Sequence, residues 1–208
     1  MAARELVVIV DDDPAVREAL GMLLKASGYR TRLFSSATEL LESDMSEEPD
    51  CLILDLRMPE LDGLELQRRL NQLWATVPVI FLSAHGDISS AVRAMRDGAV
   101  TFLQKPVDRD VLLRHLREAV ELNRDNRARQ EQGKRALEFS EALDTLTPRE
   151  REVLELVVSG KANKVISSEL GISERTVEVH RSRLMSKLGV ASVAELVRLH
   201  TLHSGRGG

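Results

Sequence analysis

Five short apolar runs, each the length of a strand and set apart by helical or turn patterns, constrain this chain more than any other feature. They are Leu6–Val10, Thr31–Phe34, Leu52–Leu54, Val77–Leu82 and Thr101–Leu103. Between the first two, Pro14–Ser27 carries Val16, Leu20, Leu23 and Leu24 at helical spacing and stops at Gly28. Asp13 followed by Pro14 suits an N-cap with proline at the first helical position. Strands that alternate with helices form a parallel sheet covered by helices on both faces. The spacing predicts a doubly wound α/β domain of five parallel strands over residues 1–120.

The third run raises a chemical question. In "LILDLRMPELDG" an apolar strand ends in a carboxylate, Asp55, and a proline-broken loop follows. An unpaired carboxylate in an apolar setting is costly, so Asp55 either caps a turn or marks an open strand end where chemistry happens. Other strand ends are equally unusual. The first delivers Asp11, Asp12 and Asp13, the fourth Ser83 in "FLSAHG", and the fifth Lys105 in "TFLQKP". Doubly wound sheets bind ligands at the carboxyl ends of their strands, near the switch point in strand order. Alone, "DDD" reads as a solvated acidic turn; with Asp55, Ser83 and Lys105 at matching strand ends, that preference reverses. Carboxylates this close repel unless a cation lies among them. A hard cation such as Mg2+ takes one or two carboxylates plus a phosphate, Ser83 and Lys105 suit the phosphate oxygens, and a carboxylate can itself accept a phosphoryl group.

"VDDD", "LILDLRMPELDG", "FLSAHGD" and "FLQKP" resemble, in order across residues 5–120, the receiver domain of two-component response regulators. The resemblance implies a flavodoxin-like fold with Asp55 as phospho-acceptor. It makes Asp12 a direct metal ligand, Asp11 an outer or water-mediated one, and the backbone carbonyl of Arg57 a further one, with Mg2+ as the cofactor. It assigns Ser83 as the switch hydroxyl, Phe102 as the switch aromatic and Lys105 as the phosphate-binding lysine, and it implies a cis Lys105–Pro106 bond. Ser83 and Phe102 stand where threonine and tyrosine are commoner. Asp13 is read as a helix cap.

Residues 121–142 are charged, poor in large apolar residues and free of proline, and are read as a helical linker interrupted at Gly133. Residues 143–208 are all-helical in pattern. "TPRE" (Thr147–Glu150) is a capping box, and glycines 160, 171 and 189 punctuate three helices of about ten to sixteen residues, with a fourth over about Ser192–His203. The "LGIS" turn at Gly171 joins two helices in a helix-turn-helix pattern. "LTPREREVLELVVSGKANKVISSELGISERTVEVHRSRLMSKLGV" resembles the four-helix DNA-binding output domain of NarL/FixJ-type (LuxR-like) regulators. At 100° per residue, Val177, Leu184 and Leu188 form one stripe of the second helix, opposite Arg175, Glu178, Val179, Ser182, Arg183 and Ser186. Val179, an apolar residue on a polar face, suits a thymine methyl, and Glu178 a cytosine amino group. Arg183, Lys187 and Lys164 suit DNA phosphates, and Arg175, Thr176 and Ser182 complete the candidate DNA face. His180 is placed at the core edge; His200 and His203 are read as surface residues.

Charge is uneven along the chain. Residues 1–120 hold 14 Lys+Arg against 20 Asp+Glu, whereas residues 143–208 hold 10 against 8, a basic balance compatible with nucleic acid. One cysteine, Cys51, allows no internal disulfide, and no apolar run near the start reaches the length of a signal-peptide core or a membrane span. These features predict a cytoplasmic protein without a membrane partner. The expected function is a phosphorylation-activated transcription regulator, not an enzyme. It would take phosphate from a sensor histidine kinase, dimerise through a surface including Ala91, Met95 and Val111, bind promoter DNA and engage RNA polymerase. The alternative is a phosphorylation-independent regulator whose receiver serves only for dimerisation. A phosphohydrolase of the haloacid dehalogenase type needs an acid two residues after the nucleophile, where Arg57 stands.

Overall fold

The computed structural model describes residues 5–74, 76–84 and 88–205, so His85–Asp87 of "FLSAHGD" lie outside the described residues. The chain forms two compact units, Met1–Ala128 and Arg129–Gly208. In the first, strands β1 (Leu6–Val10), β2 (Arg30–Phe34), β3 (Cys51–Asp55), β4 (Val79–Ser83) and β5 (Thr101–Gln104) alternate with helices α1 (Pro14–Ala26), α2 (Ala37–Glu42), α3 (Gly63–Leu73) and α4 (Ile88–Arg96). Helix α5 (Arg109–Asp144) follows β5. The five strands are parallel in the order β2-β1-β3-β4-β5, as the alternation predicts.

Side chains on successive strand positions point to opposite faces, and the core divides accordingly. Val8, Val10, Leu52 and Leu54 pack with Leu40 of α2, Leu64 and Leu70 of α3 and Ala94 of α4. Val7, Ile9, Cys51 and Ile53 pack on the other face with Leu20 and Leu24 of α1 and Leu112 and Leu116 of α5. Cys51 is a fully buried structural thiol, and burial first, with the charge of Asp50 in lesser part, pushes its pKa far up.

The strand order reverses at β1, which pairs with β2 on one side and β3 on the other. Val10 lies opposite Leu54, so Asp11 and Asp55 leave the sheet side by side. Close approach continues past β3. A Cβ on Gly63 would lie 2.3 Å from the Asp55 carbonyl oxygen, so only glycine lets α3 start there.

The second unit contains α6 (Pro148–Val158), α7 (Asn163–Leu170), α8 (Glu174–Lys187) and α9 (Val193–Ser204). Its core includes Val153, Ile166, Val177, Leu184, Leu188 and Leu196. Thr147 and Glu150 make the capping box of α6, and Gly171, at φ 65°, ends α7. Three expectations change. Helix α7 has only eight residues, because it starts at Asn163 after an Ala162 cap and ends at the expected left-handed turn at Gly171. Helix α5 is not interrupted at Gly133, since one glycine costs about 1 kcal/mol and the Arg, Gln, Glu, Lys and Ala around it are strong helix formers. Phe139, in the segment read as linker, is buried in the second core.

Candidate functional site

Asp11 and Asp55, at neighbouring strand ends, are 1% and 8% exposed, while Asp12 on the loop between β1 and α1 is exposed. One carboxylate oxygen from each of the three can be chosen so that all lie within 4.8 Å of one another; no other such group of His, Cys, Asp or Glu occurs among the described residues. Lys105 Nζ donates to Asp11 Oδ2 at 2.7 Å and to Asp55 Oδ2 at 2.9 Å. The amide of Asp13 donates to Asp11 Oδ1 at 3.1 Å, and that of Arg57 to Asp55 Oδ1 at 3.4 Å. Asp13 caps α1, accepting from the amides of Ala15 and Val16, in line with the sequence reading.

Burial raises the Asp11 carboxyl above the usual aspartate range, and the charge of Asp55 adds to it against the pull of Lys105. Burial also works against the ammonium of Lys105, but its bonds to Asp11 and Asp55 outweigh that and leave its pKa raised. Three carboxylates beside one ammonium carry a formal charge of about -2 when all are ionised. An all-oxygen set with that imbalance fits a hard divalent cation.

Ser83 is buried at the end of β4, and its carbonyl accepts from the Lys105 amide at 2.8 Å. The Lys105–Pro106 bond is cis, as the resemblance implies. Phe102 on β5 is half-buried against the core layer that holds α3 and α4. One contributor escaped the sequence reading. Arg17 of α1 donates from Nη1 to the Asp11 carbonyl at 2.6 Å and the Asp12 carbonyl at 3.5 Å. A basic residue four positions past an N-cap was the available signal.

In the second unit α7 and α8 form the helix-turn-helix, with Ser173 capping α8 through the Thr176 amide. Val177, Leu184 and Leu188 are buried, and Arg175, Glu178, Ser182 and Arg183 are exposed with Val179, itself 42% exposed. Lys164 is exposed on α7. Two candidates have partners within the chain. The Thr176 hydroxyl is 2.8 Å from that of Ser173. Lys187 Nζ donates to Glu150 Oε2 at 2.7 Å and to the Thr145 carbonyl at 3.3 Å, which ties it to the start of α6. Glu150, 3% exposed, is held at a pKa of about 2 by its bonds with Lys187 and the Thr147 amide. His180 is half-buried, with Nδ1 lacking a hydrogen-bond partner among the described residues. His200 is not a plain surface residue: it is half-buried, 3.4 Å from Glu155, because α9 packs its Leu196 and Leu199 face into the core beside α6.

Residues 7–117 match the response regulator receiver domain, and residues 144–200 match the bacterial regulatory proteins of the luxR family. The chain is 43% identical over 194 residues to the response regulator protein TmoT of Ectopseudomonas mendocina, covering 93% of this chain and 87% of that one. It is 42% identical to the transcriptional regulatory protein FixJ of Azorhizobium caulinodans, covering 94% and 92%. Among solved structures it resembles the response regulator StyR, with a TM-score of 0.71, 42% identity and coverage of 96% and 99%. Full-length FixJ from B. japonicum gives a TM-score of 0.57 at 35% identity, covering 99% of each chain.

Proposed function

The chain belongs to the response-regulator receiver family and carries a luxR-family DNA-binding domain, and we propose that phosphorylation of Asp55 governs its binding to promoter DNA. It is a FixJ-like transcription regulator. What carries the phosphorylation reading is the position of Lys105, whose ammonium bridges the buried carboxylates of Asp11 and Asp55 with Asp12 alongside.

In this reading Asp55 attacks the phosphorus of a phosphohistidine on a sensor histidine kinase. The phosphorus–oxygen bond forms as the phosphorus–nitrogen bond breaks, and the histidine leaves with the nitrogen electron pair. Asp11, Asp12, Asp55 and the Arg57 carbonyl would hold Mg2+, which supplies charge neutralisation at the phosphoryl oxygens. Lys105 would pair with one phosphoryl oxygen and Ser83 would donate to another. Movement of Ser83 gives Phe102 a different place to pack and remodels the surface of α4 and β5. Dimerisation there, then contact with promoter DNA and RNA polymerase, would complete the response. Among the described residues no helix is long and apolar enough to cross a membrane, and the cytoplasm is the proposed location.

The test is phosphorylation by acetyl phosphate with Mg2+. The parent should gain one acid-labile phosphoryl group and Asp55→Asn none. Equal incorporation in Asp55→Asn overturns the assignment. An enzymatic reading has less support, since Arg57 occupies the place of a second catalytic acid.

A further inference from the structure

The three acids of the receiver site are not held alike. The Asp11 carboxylate is anchored by Lys105 and by the Asp13 amide, and the Asp55 carboxylate by Lys105 and the Arg57 amide. The carboxylate of Asp12 is exposed and takes no such bond among the described residues. Its position therefore follows from its backbone. That backbone lies between two carbonyls, of Asp11 and Asp12, and both face the same nitrogen of Arg17.

Arg17 is the fourth residue of α1, after the Asp13 cap and Pro14. Helical side chains lean toward the N-terminus, so an arginine here reaches back over the loop it follows. Its permanently charged guanidinium brings one nitrogen to both carbonyls, close to that of Asp11 at 2.6 Å and farther from that of Asp12 at 3.5 Å. Across from it, Glu39 of α2 accepts from the amide and the hydroxyl of Ser35, each at 2.6 Å. Those bonds first, and the Arg17 charge in lesser part, hold the Glu39 carboxyl below its usual pKa.

We infer that Arg17 is a positioning residue for the divalent cation, fixing the loop that presents Asp12 beside Asp11 and Asp55. The inference rests on the metal reading under Proposed function. It opposes a simpler view in which Arg17 is only a positive charge near a cation site. Removing a mere charge would tighten cation binding, whereas removing a brace would weaken it.

The experiment is a Mn2+ titration of the full chain followed by electron paramagnetic resonance, with amide hydrogen exchange on the metal-free protein. Arg17→Met should bind Mn2+ about tenfold more weakly, the scale on which partners of metal ligands act, and should lose protection at residues 11–13 without metal. Arg17→Lys should fall between Arg17→Met and the parent. Unchanged or tighter binding by Arg17→Met overturns the inference and leaves the metal reading standing. Weakened binding with global loss of protection across β1 and β3 makes Arg17 a fold residue and overturns it too. A parent that binds no Mn2+ overturns the metal reading and this inference together.

Discussion

At the scale of single residues the receiver site depends on close spacing rather than on chain flexibility. Gly63→Ala would press a methyl onto the Asp55 carbonyl oxygen, and the main chain must move because neither partner is a flexible side chain. We expect a loss of about 2–3 kcal/mol in urea unfolding, at the upper end of overpacking costs. Trp74, the sole tryptophan and packed against the receiver core, reports it. A loss under about 1 kcal/mol would show that the turn relaxes instead. Glu150 gives a pH prediction. Its folded pKa of about 2 lies below its ordinary 4.5. The stability it contributes is therefore present above 4.5 and fades as pH falls toward 2. Amide protection in α6 and α8 should decline across that window in the parent and lack this component in Glu150→Gln. Identical profiles for the two proteins contradict the assignment.

At the scale of elements, α8 separates reading from holding. The side chains of Arg183 and Lys164 are exposed and make no hydrogen bond or ion pair among the described residues, and each residue, changed to alanine, should flatten the salt dependence of DNA binding by about 0.9 in log–log slope. Lys187→Ala should leave that slope near the parent's while lowering the stability of the output domain, because its ammonium is committed to Glu150 and the Thr145 carbonyl. A flattened slope for Lys187→Ala would return it to the DNA contacts. Val179→Ala should cost on the order of 1 kcal/mol at one base pair, measured by competition against single-base variants of the site. A uniform loss over all variants would assign Val179 to the fold.

At the scale of the whole molecule, control requires a receiver with two states that differ in surface. Met95 and Val92 of α4 are exposed, and Ala91 on α4 and Val111 on α5 are half-buried. Val92 was absent from the sequence reading of this patch, although it is as open as Met95. We expect sedimentation to show a monomer without phosphate and a dimer with beryllofluoride and Mg2+, and Met95→Glu to abolish the shift. Unchanged mass in the parent would sink the dimer switch without touching phosphorylation.

Much of this protein is determined by local sequence. Strand and helix order, the cap of α1, the capping box of α6 and the buried stripe of α8 all follow from periodicity and from backbone donors that one nearby side chain satisfies. The acids of the receiver were legible because strand ends in a parallel sheet converge on one edge. Other features required the tertiary structure, because they depend on residues distant in sequence. Lys187 looked like a free cation until folding brought the start of α6 beneath it, 37 residues away. His200 met Glu155 by the same kind of encounter. Gly133 misled because helix propensity is summed over neighbours, so a single weak residue yields to strong ones. The brace from Arg17 escaped notice because its bonds go to main-chain carbonyls, which every residue carries and no motif records.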